Sequence, residues 1–229
     1  MLKYKLIFKE NENYVSASWG PIVELFRCED EQIARSAHHL SEKHIDPDSF
    51  ERMNVGLAAA VFSAKTASAL KAGFKLGELT HEDCSATAEF ISRVNTLFDC
   101  LNSKNICDSN PYKRPLSEKN PQVENFLKDS LPWILQWQSD GTINDEPPCF
   151  NGFYLSVNSI LLQWEEIKTA NPTFYLLTSR LNQENLFSYL RAIGGFNDTP
   201  TAQQIRRNLQ YSILTNLEKS SDKTNCEPD

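Results

Sequence analysis

Polar and apolar residues alternate from Lys3 to Phe8, and Asn11, Glu12 and Asn13 then supply turn chemistry. Tyr14 to Ser18 resume an extended pattern, so the chain is expected to open with a small β-hairpin. Gly20 and Pro21 open a short amphipathic helix carrying Ile22, Val23, Leu25 and Phe26. Asp46 before Pro47 is a strong helix start, because the carboxylate accepts orphan amide protons and proline wastes none. The spacing of Val55, Ala58, Ala59, Phe62, Ala69 and Leu70 predicts that this helix runs to about Gly73.

A capping-box-like Thr80 and Asp83 predict a helix over Thr80 to Ser103, with one apolar stripe through Cys84, Ala88, Ile91, Val94, Phe98 and Leu101. Asn120 and Pro121 start another, bearing Val123, Phe126 and Leu127, which Pro132 is expected to end or kink; Trp133 and Trp137 lie on the next turn. Gln138 to Cys149 is the most loop-like stretch, and a helix from about Phe153 to Lys168 turns Ile160, Leu161, Trp164 and Ile167 inward. Asn171 and Pro172 break it, and Phe174 to Leu177 is an apolar run too short to classify. Asn182 caps a helix closed by Gly194 and Gly195, and Thr199 with Pro200 opens the last, with Ile205, Leu209, Ile213 and Leu217 on one face. The pattern predicts a mainly α fold with a small N-terminal β element, and a disordered tail over 220–229.

Composition agrees with a folded chain: 229 residues, 40% hydrophobic and 23% charged, are enough for a substantial core. A net charge of -7 argues against wrapping a nucleic acid with the whole surface. The stretch from Arg180 to Lys219 differs, with five basic residues against three acidic ones, and is the better place for a polynucleotide. The six cysteines have no CxxC spacing and the four histidines complete no zinc pattern, so a reducing compartment and no soft-metal site are expected. No apolar run reaches the roughly 18 residues that cross a bilayer, so no membrane is expected.

Motif chemistry alone leaves the chain unassigned. A GxxxxGK[ST] phosphate loop, a dinucleotide fingerprint and a GxSxG elbow are all missing. Two constellations carry chemistry. Asp99 and Asn102 are three apart beside Phe98; a carboxylate that accepts, an amide that does both and a ring that stacks would suit a purine. On residue types alone the same trio also reads as one core ring with two solvated neighbours. Glu184, in the first turn of its helix, reads either as a carboxylate favoured by the helix dipole or as a metal ligand, and no second acid lies nearby in sequence.

The run LTSRLNQENLFSYLRAIGGFNDTPTAQQIRRNLQYSIL, from Leu177 to Leu214, closely resembles the C-terminal signature of P-element-type DNA transposases and their THAP-domain relatives. His44 to Ser63, Ala86 to Ser103, Asn110 to Glu118, Pro148 to Gly152 and Leu161 to Glu165 resemble successive blocks of the same family, so the likeness covers about residues 15 to 215. It implies a helical GTP-binding insertion within a split RNase H-like catalytic domain. On that likeness 1–18 ends the first RNase H-like segment, 19–179 is the insertion domain, and 180–219 is a C-terminal RNase H-like helical segment. Phe98 would stack near the guanine, Asp99 and Asn102 would contact the nucleotide, Val55 and Ser63 would line the same pocket, and His39 would stand near phosphate. Glu184 would be the surviving catalytic glutamate and a ligand of Mg2+, with GTP and Mg2+ as cofactors.

Two departures stand out. His39 occupies a position where relatives commonly carry lysine, which weakens a cationic phosphate contact. Gln183 runs straight into Glu184, without three residues beginning with Asp that the family usually has there, which shortens the helix start by nearly one turn. Neither the two partner aspartates of a two-metal site nor the THAP zinc pattern is present, so the resemblance implies a nuclear transposase piece that does not transpose DNA alone. Transposon DNA, and oligomerisation with transposase chains, would belong to the full enzyme. The competing expectation is a domesticated, non-enzymatic helical interaction or regulatory module that has lost nucleotide binding.

Overall fold

The computed structural model describes residues 5–10, 13–30, 36–139, 148–180, 192–195 and 201–215. The chain divides into two compact units, Met1–Thr178 and Ser179–Asp229. In the first, β1 (Leu6–Glu10) and β2 (Asn13–Ala17) form the expected antiparallel hairpin, with Phe8 opposite Val15. A two-residue strand, β3 (Gln138–Ser139), adds to the other edge of β1, giving the order β2-β1-β3. The period-two alternation buries Leu6 and Phe8 on one face.

The helices follow as α1 (Gly20–Asp30), α2 (Glu42–Ile45), α3 (Val55–Val61), α4 (Ala64–Leu76), α5 (Cys84–Leu101), α6 (Pro121–Leu135) and α7 (Pro148–Ala170). In the second unit α8 spans Ala202–Thr215, opened by Thr201 and Gln204, whose side chains cap each other's backbone amides. The fold is mainly α with a small N-terminal sheet, as the pattern predicts. Among the described residues no helix is long and apolar enough to cross a membrane.

Several boundaries differ from the sequence expectation. The single helix expected from Asp46 to about Gly73 is three pieces. Asp48 accepts from the Phe50 and Glu51 amides at the entry to a 3-10 turn at Glu51–Met53, Asn54 caps α3 by accepting from the Gly56 amide, and Ser63 caps α4 by accepting from Thr66. Short polar side chains offer the backbone partners outside the helix, and here three of them win over a continuous apolar stripe. Gly77, at φ 76°, closes α4 in a left-handed conformation that suits glycine.

Helix α5 starts four residues later than expected. Thr80 is held by Glu24 of α1, whose carboxylate accepts from the Thr80 amide and hydroxyl and from the His81 amide. Pro132 neither ends α6 nor displaces Trp133, which is buried one residue later; the helix runs on to Leu135. Proline in a last turn forfeits only one ladder bond. Helix α7 begins five residues earlier than predicted, and the Phe174–Leu177 run contributes a backbone bridge in which Leu176 and Leu116 exchange both hydrogen bonds.

The core that fixes α5 is aromatic. Phe8 and Phe90 stand 5.5 Å apart between ring centres, Phe90 and Trp137 5.4 Å, and Trp133 and Trp137 4.8 Å, nearly perpendicular. Tilted and edge-to-face rings of this kind add specific geometry to the burial itself.

Candidate nucleotide site

Two contacts set the direction of the α4–α5 pair. Cys84, at the start of α5, lies against the Leu70 carbonyl in the second half of α4, and Asn95, late in α5, accepts from the amide of Ala64, the first residue of α4. The helices are therefore antiparallel, and the start of α4 stands beside the last turns of α5. That arrangement brings His39, Ser63 and Asp99 into one polar chain.

At the α4 end, Thr66 donates its hydroxyl proton to the Ala60 carbonyl, so His39 Nε2 is the donor in its 2.8 Å contact to Thr66 Oγ1. Ser63 Oγ lies 3.4 Å from the same His39 nitrogen. At the α5 end, Asp99 is enclosed, with its side chain 12% exposed. Asn110 donates to Asp99 Oδ2 at 3.0 Å, Asn95 Nδ2 reaches the same oxygen at 3.5 Å, and Lys113 Nζ lies 3.7 Å from Oδ1. Asn95 is thus the link, since its amide oxygen holds the start of α4 and its amide nitrogen holds Asp99.

Asn110 is itself fixed. Its backbone amide donates to Asp108 and its side-chain oxygen accepts from Tyr112, capping the 3-10 turn Pro111–Lys113 that carries Lys113. Burial raises the Asp99 carboxyl above its ordinary value, with Lys113 and the Asn110 hydrogen bond opposing that shift and Asp108 adding to it.

Phe98 departs from the sequence expectation. It is 46% exposed, because from Val94 the inward face of α5 advances by three to Leu97 and not by four to Phe98. The ring is therefore available to stack, while the neighbouring carboxylate is the more enclosed of the two. Asn102 caps the helix: its side chain donates to the Phe98 carbonyl at 3.1 Å and its backbone amide to that of Asp99. One amide proton and the side-chain oxygen remain for a ligand. Val55, 70% exposed at the first position of α3, is apolar and lies outside the hydrogen-bonded chain. Glu184 falls outside the described residues. Among the described residues no group of three or more His, Cys, Asp and Glu side chains converges as a metal centre.

Three members of the site were missed from sequence: Asn95, Asn110 and Lys113. Asn95 had a readable signal, lying four residues before Asp99 on one helical face. Asn110 and Lys113 belong to the NPYKRPLSE block, but their approach to Asp99 depends on how that loop folds back.

The description "TNP-like, GTP-binding insertion domain" matches residues 1–115, which hold every residue of the polar chain from His39 to Lys113. The chain belongs to this family. As a member of the TNP-like GTP-binding insertion family, it is 32% identical over 203 residues to the Transposable element P transposase of Drosophila melanogaster, covering 83% of this chain and 26% of that protein. It is 26% identical over 189 residues to the human DNA transposase THAP9, covering 77% of this chain and 20% of that one. The chain therefore spans about a quarter or less of these relatives. A solved Drosophila P element transposase strand transfer complex superimposes with a TM-score of 0.65 at 26% identity, over 95% of this chain and 49% of that one.

A separate surface cleft of about 570 Å³ lies between the 106–120 loop and residues 172–175, lined among others by Arg114, Lys119, Phe174 and Tyr175. None of His39, Ser63, Phe98, Asp99 and Asn102 lines it. The more open space at the cleft does not outweigh the convergence of an enclosed carboxylate, amides and a half-exposed ring at the end of α5.

Proposed function

We propose that this chain binds GTP at the end of α5, and that it does so as a piece of a P-element-like transposase in which the nucleotide supports binding of transposon DNA. The observation that carries the reading is the enclosed Asp99 carboxylate beside the half-exposed Phe98 ring. A carboxylate only accepts, so it favours a base edge that presents N–H donors. Guanine presents a ring N–H and an amino group side by side, whereas adenine places a ring acceptor at the equivalent position. The ring of Phe98 offers a stacking face and Asn102 a mixed donor and acceptor. Ser63 and His39, at the start of α4, mark where the rest of the nucleotide would run, with His39 supplying less cationic character than a lysine. Val55 is assigned to the pocket by the family likeness alone. Mg2+ would accompany the triphosphate, and no described side chain is assigned to it.

The same reading makes residues 180–219 a return to an RNase H-like catalytic fold with Glu184 as its glutamate, one of the carboxylates a two-metal site would need. DNA contact, assembly with other transposase chains and a nuclear location belong to the complete enzyme. The test is calorimetric titration of the purified chain with GTP and with ATP in the presence of Mg2+. Saturable heat with GTP, and weaker binding of ATP, supports the reading; no heat and no thermal stabilisation at millimolar GTP overturns it.

A further inference from the structure

The last turn of α5, which carries Phe98, Asp99 and Asn102, ends in carbonyls with no partner inside the helix. Asn102 satisfies two of them, those of Phe98 and Asp99. The third, the Cys100 carbonyl, accepts at 2.8 Å from the hydroxyl of Thr178, a residue 78 positions away.

Thr178 and Ser103 are also locked to each other. The Ser103 amide donates to Thr178 Oγ1 at 2.9 Å, the Thr178 amide donates to Ser103 Oγ at 3.0 Å, and the two hydroxyl oxygens lie 3.0 Å apart. With the Thr178 proton committed to Cys100, Ser103 is the donor between the hydroxyls. Ser103 is fully buried and Thr178 is 5% exposed, so no water takes the place of any of these bonds. Two residues earlier, the Leu176–Leu116 bridge ties the same segment down. In sequence, Thr178 is the last residue of the first unit.

We infer that Thr178 is a positioning residue for the nucleotide site: it fixes the last turn of α5 from the segment that leaves the domain, so that site occupancy and order in residues 176–178 are coupled. This rests on the reading of the α5 end as the GTP site. A turn that is already ordered binds without the cost of becoming ordered, and by linkage a ligand that orders the turn must stabilise whatever caps it. The coupling is reciprocal, so it can be read from either end.

The experiment uses the full chain with Thr178→Val, which keeps the shape and deletes the hydroxyl, Thr178→Ser, which restores a hydroxyl, and Ser103→Ala. GTP affinity is measured by calorimetry, and amide hydrogen exchange at Ser103 and at 176–178 is measured with and without GTP. Thr178→Val should bind GTP about five to ten times more weakly, and Thr178→Ser within about twofold of the parent, the size expected for one buried hydrogen bond. GTP should slow exchange of the Ser103 and Thr178 amides in the parent chain. A folded Thr178→Val that binds as the parent does, or unchanged exchange at these amides in saturating GTP, overturns the inference and leaves the GTP site standing. A parent chain that binds no GTP overturns both. Should Thr178→Val fail to fold by circular dichroism, GTP affinity of Ser103→Ala and amide exchange of the parent chain decide the question: parent-like affinity or unchanged exchange overturns the coupling.

Discussion

Asn110 donates to Asp99 Oδ2 at 3.0 Å while its own side-chain oxygen accepts from the Tyr112 amide, so one amide group both holds the candidate carboxylate and shapes the loop that brings Lys113 to it. Asn110→Ala removes both bonds. It should lower stability by about 1 to 2 kcal/mol, as for loss of a cap and a charge-assisted bond, and should weaken GTP binding because Asp99 loses its orientation. Urea unfolding and GTP titration of the same preparation check this. Unchanged values in both would show that Asn110 does not organise the site.

Phe98→Ala should separate binding from folding. With 46% of the residue exposed, truncation should cost under about 0.5 kcal/mol of stability, as at surface positions. Loss of a stacking face should cost about 1 to 3 kcal/mol of nucleotide affinity. A melting temperature that drops by many degrees would place the ring in the core after all.

Acid should loosen the contact between α6 and α7. Burial pushes Glu124 up, but hydrogen bonds from Lys128, Trp164 and Lys168 overcome it and hold the carboxyl at about 2, against an ordinary value of 4.5. A depressed carboxyl stabilises the fold above its unfolded value and loses that contribution as pH falls through the folded one. Stability should decline on the order of 2 to 3 kcal/mol between about pH 4.5 and 2, and Glu124→Gln should flatten that part of the profile. A profile that keeps its full slope in Glu124→Gln would assign the acid lability to other groups.

Nucleotide affinity should carry the opposite signature of Asp99. Burial raises this carboxyl, so it protonates sooner on acidification than an ordinary aspartate, and a protonated carboxyl cannot accept two base protons. Apparent GTP affinity should therefore fall on the acidic side before global unfolding begins, with Lys113→Met moving the fall to higher pH. Affinity independent of pH down to the unfolding transition would exclude Asp99 from base recognition.

Much of the fold was legible because α1, α5, α6 and α7 bury strongly periodic faces, and because Asn120–Pro121 and Gly20–Pro21 are unambiguous starts. The break at Phe62–Ser63 was not, since it depends on a serine choosing to cap a helix in a stretch that could also have been helical throughout. At the candidate site, Phe98, Asp99 and Asn102 were singled out from spacing and family likeness, but the burial expected of Phe98 and Asp99 was inverted, while Asn102 is exposed as expected. A stripe that can advance by three or four offers both Leu97 and Phe98 to the core, and only tertiary packing decides between them. Asn95 was within reach of the i, i+4 rule; Asn110, Lys113 and Thr178 were not, because loop return and a 78-residue separation leave no local trace.

The most direct test compares GTP titrations of the parent chain and of Asp99→Asn, with urea unfolding of each as the control for folding. Burial outweighs the Asn110 and Lys113 contacts and raises this carboxyl, so the neutral isostere should cost under about 0.5 kcal/mol of stability, no more than at a solvated position. The amide keeps the volume but turns a donor toward the base, so GTP affinity should fall tenfold to a hundredfold, roughly the 1.5 to 3 kcal/mol of hydrogen bonds to a charged group. A folded Asp99→Asn chain that binds GTP as tightly as the parent would remove Asp99, and with it the end of α5, from guanine recognition.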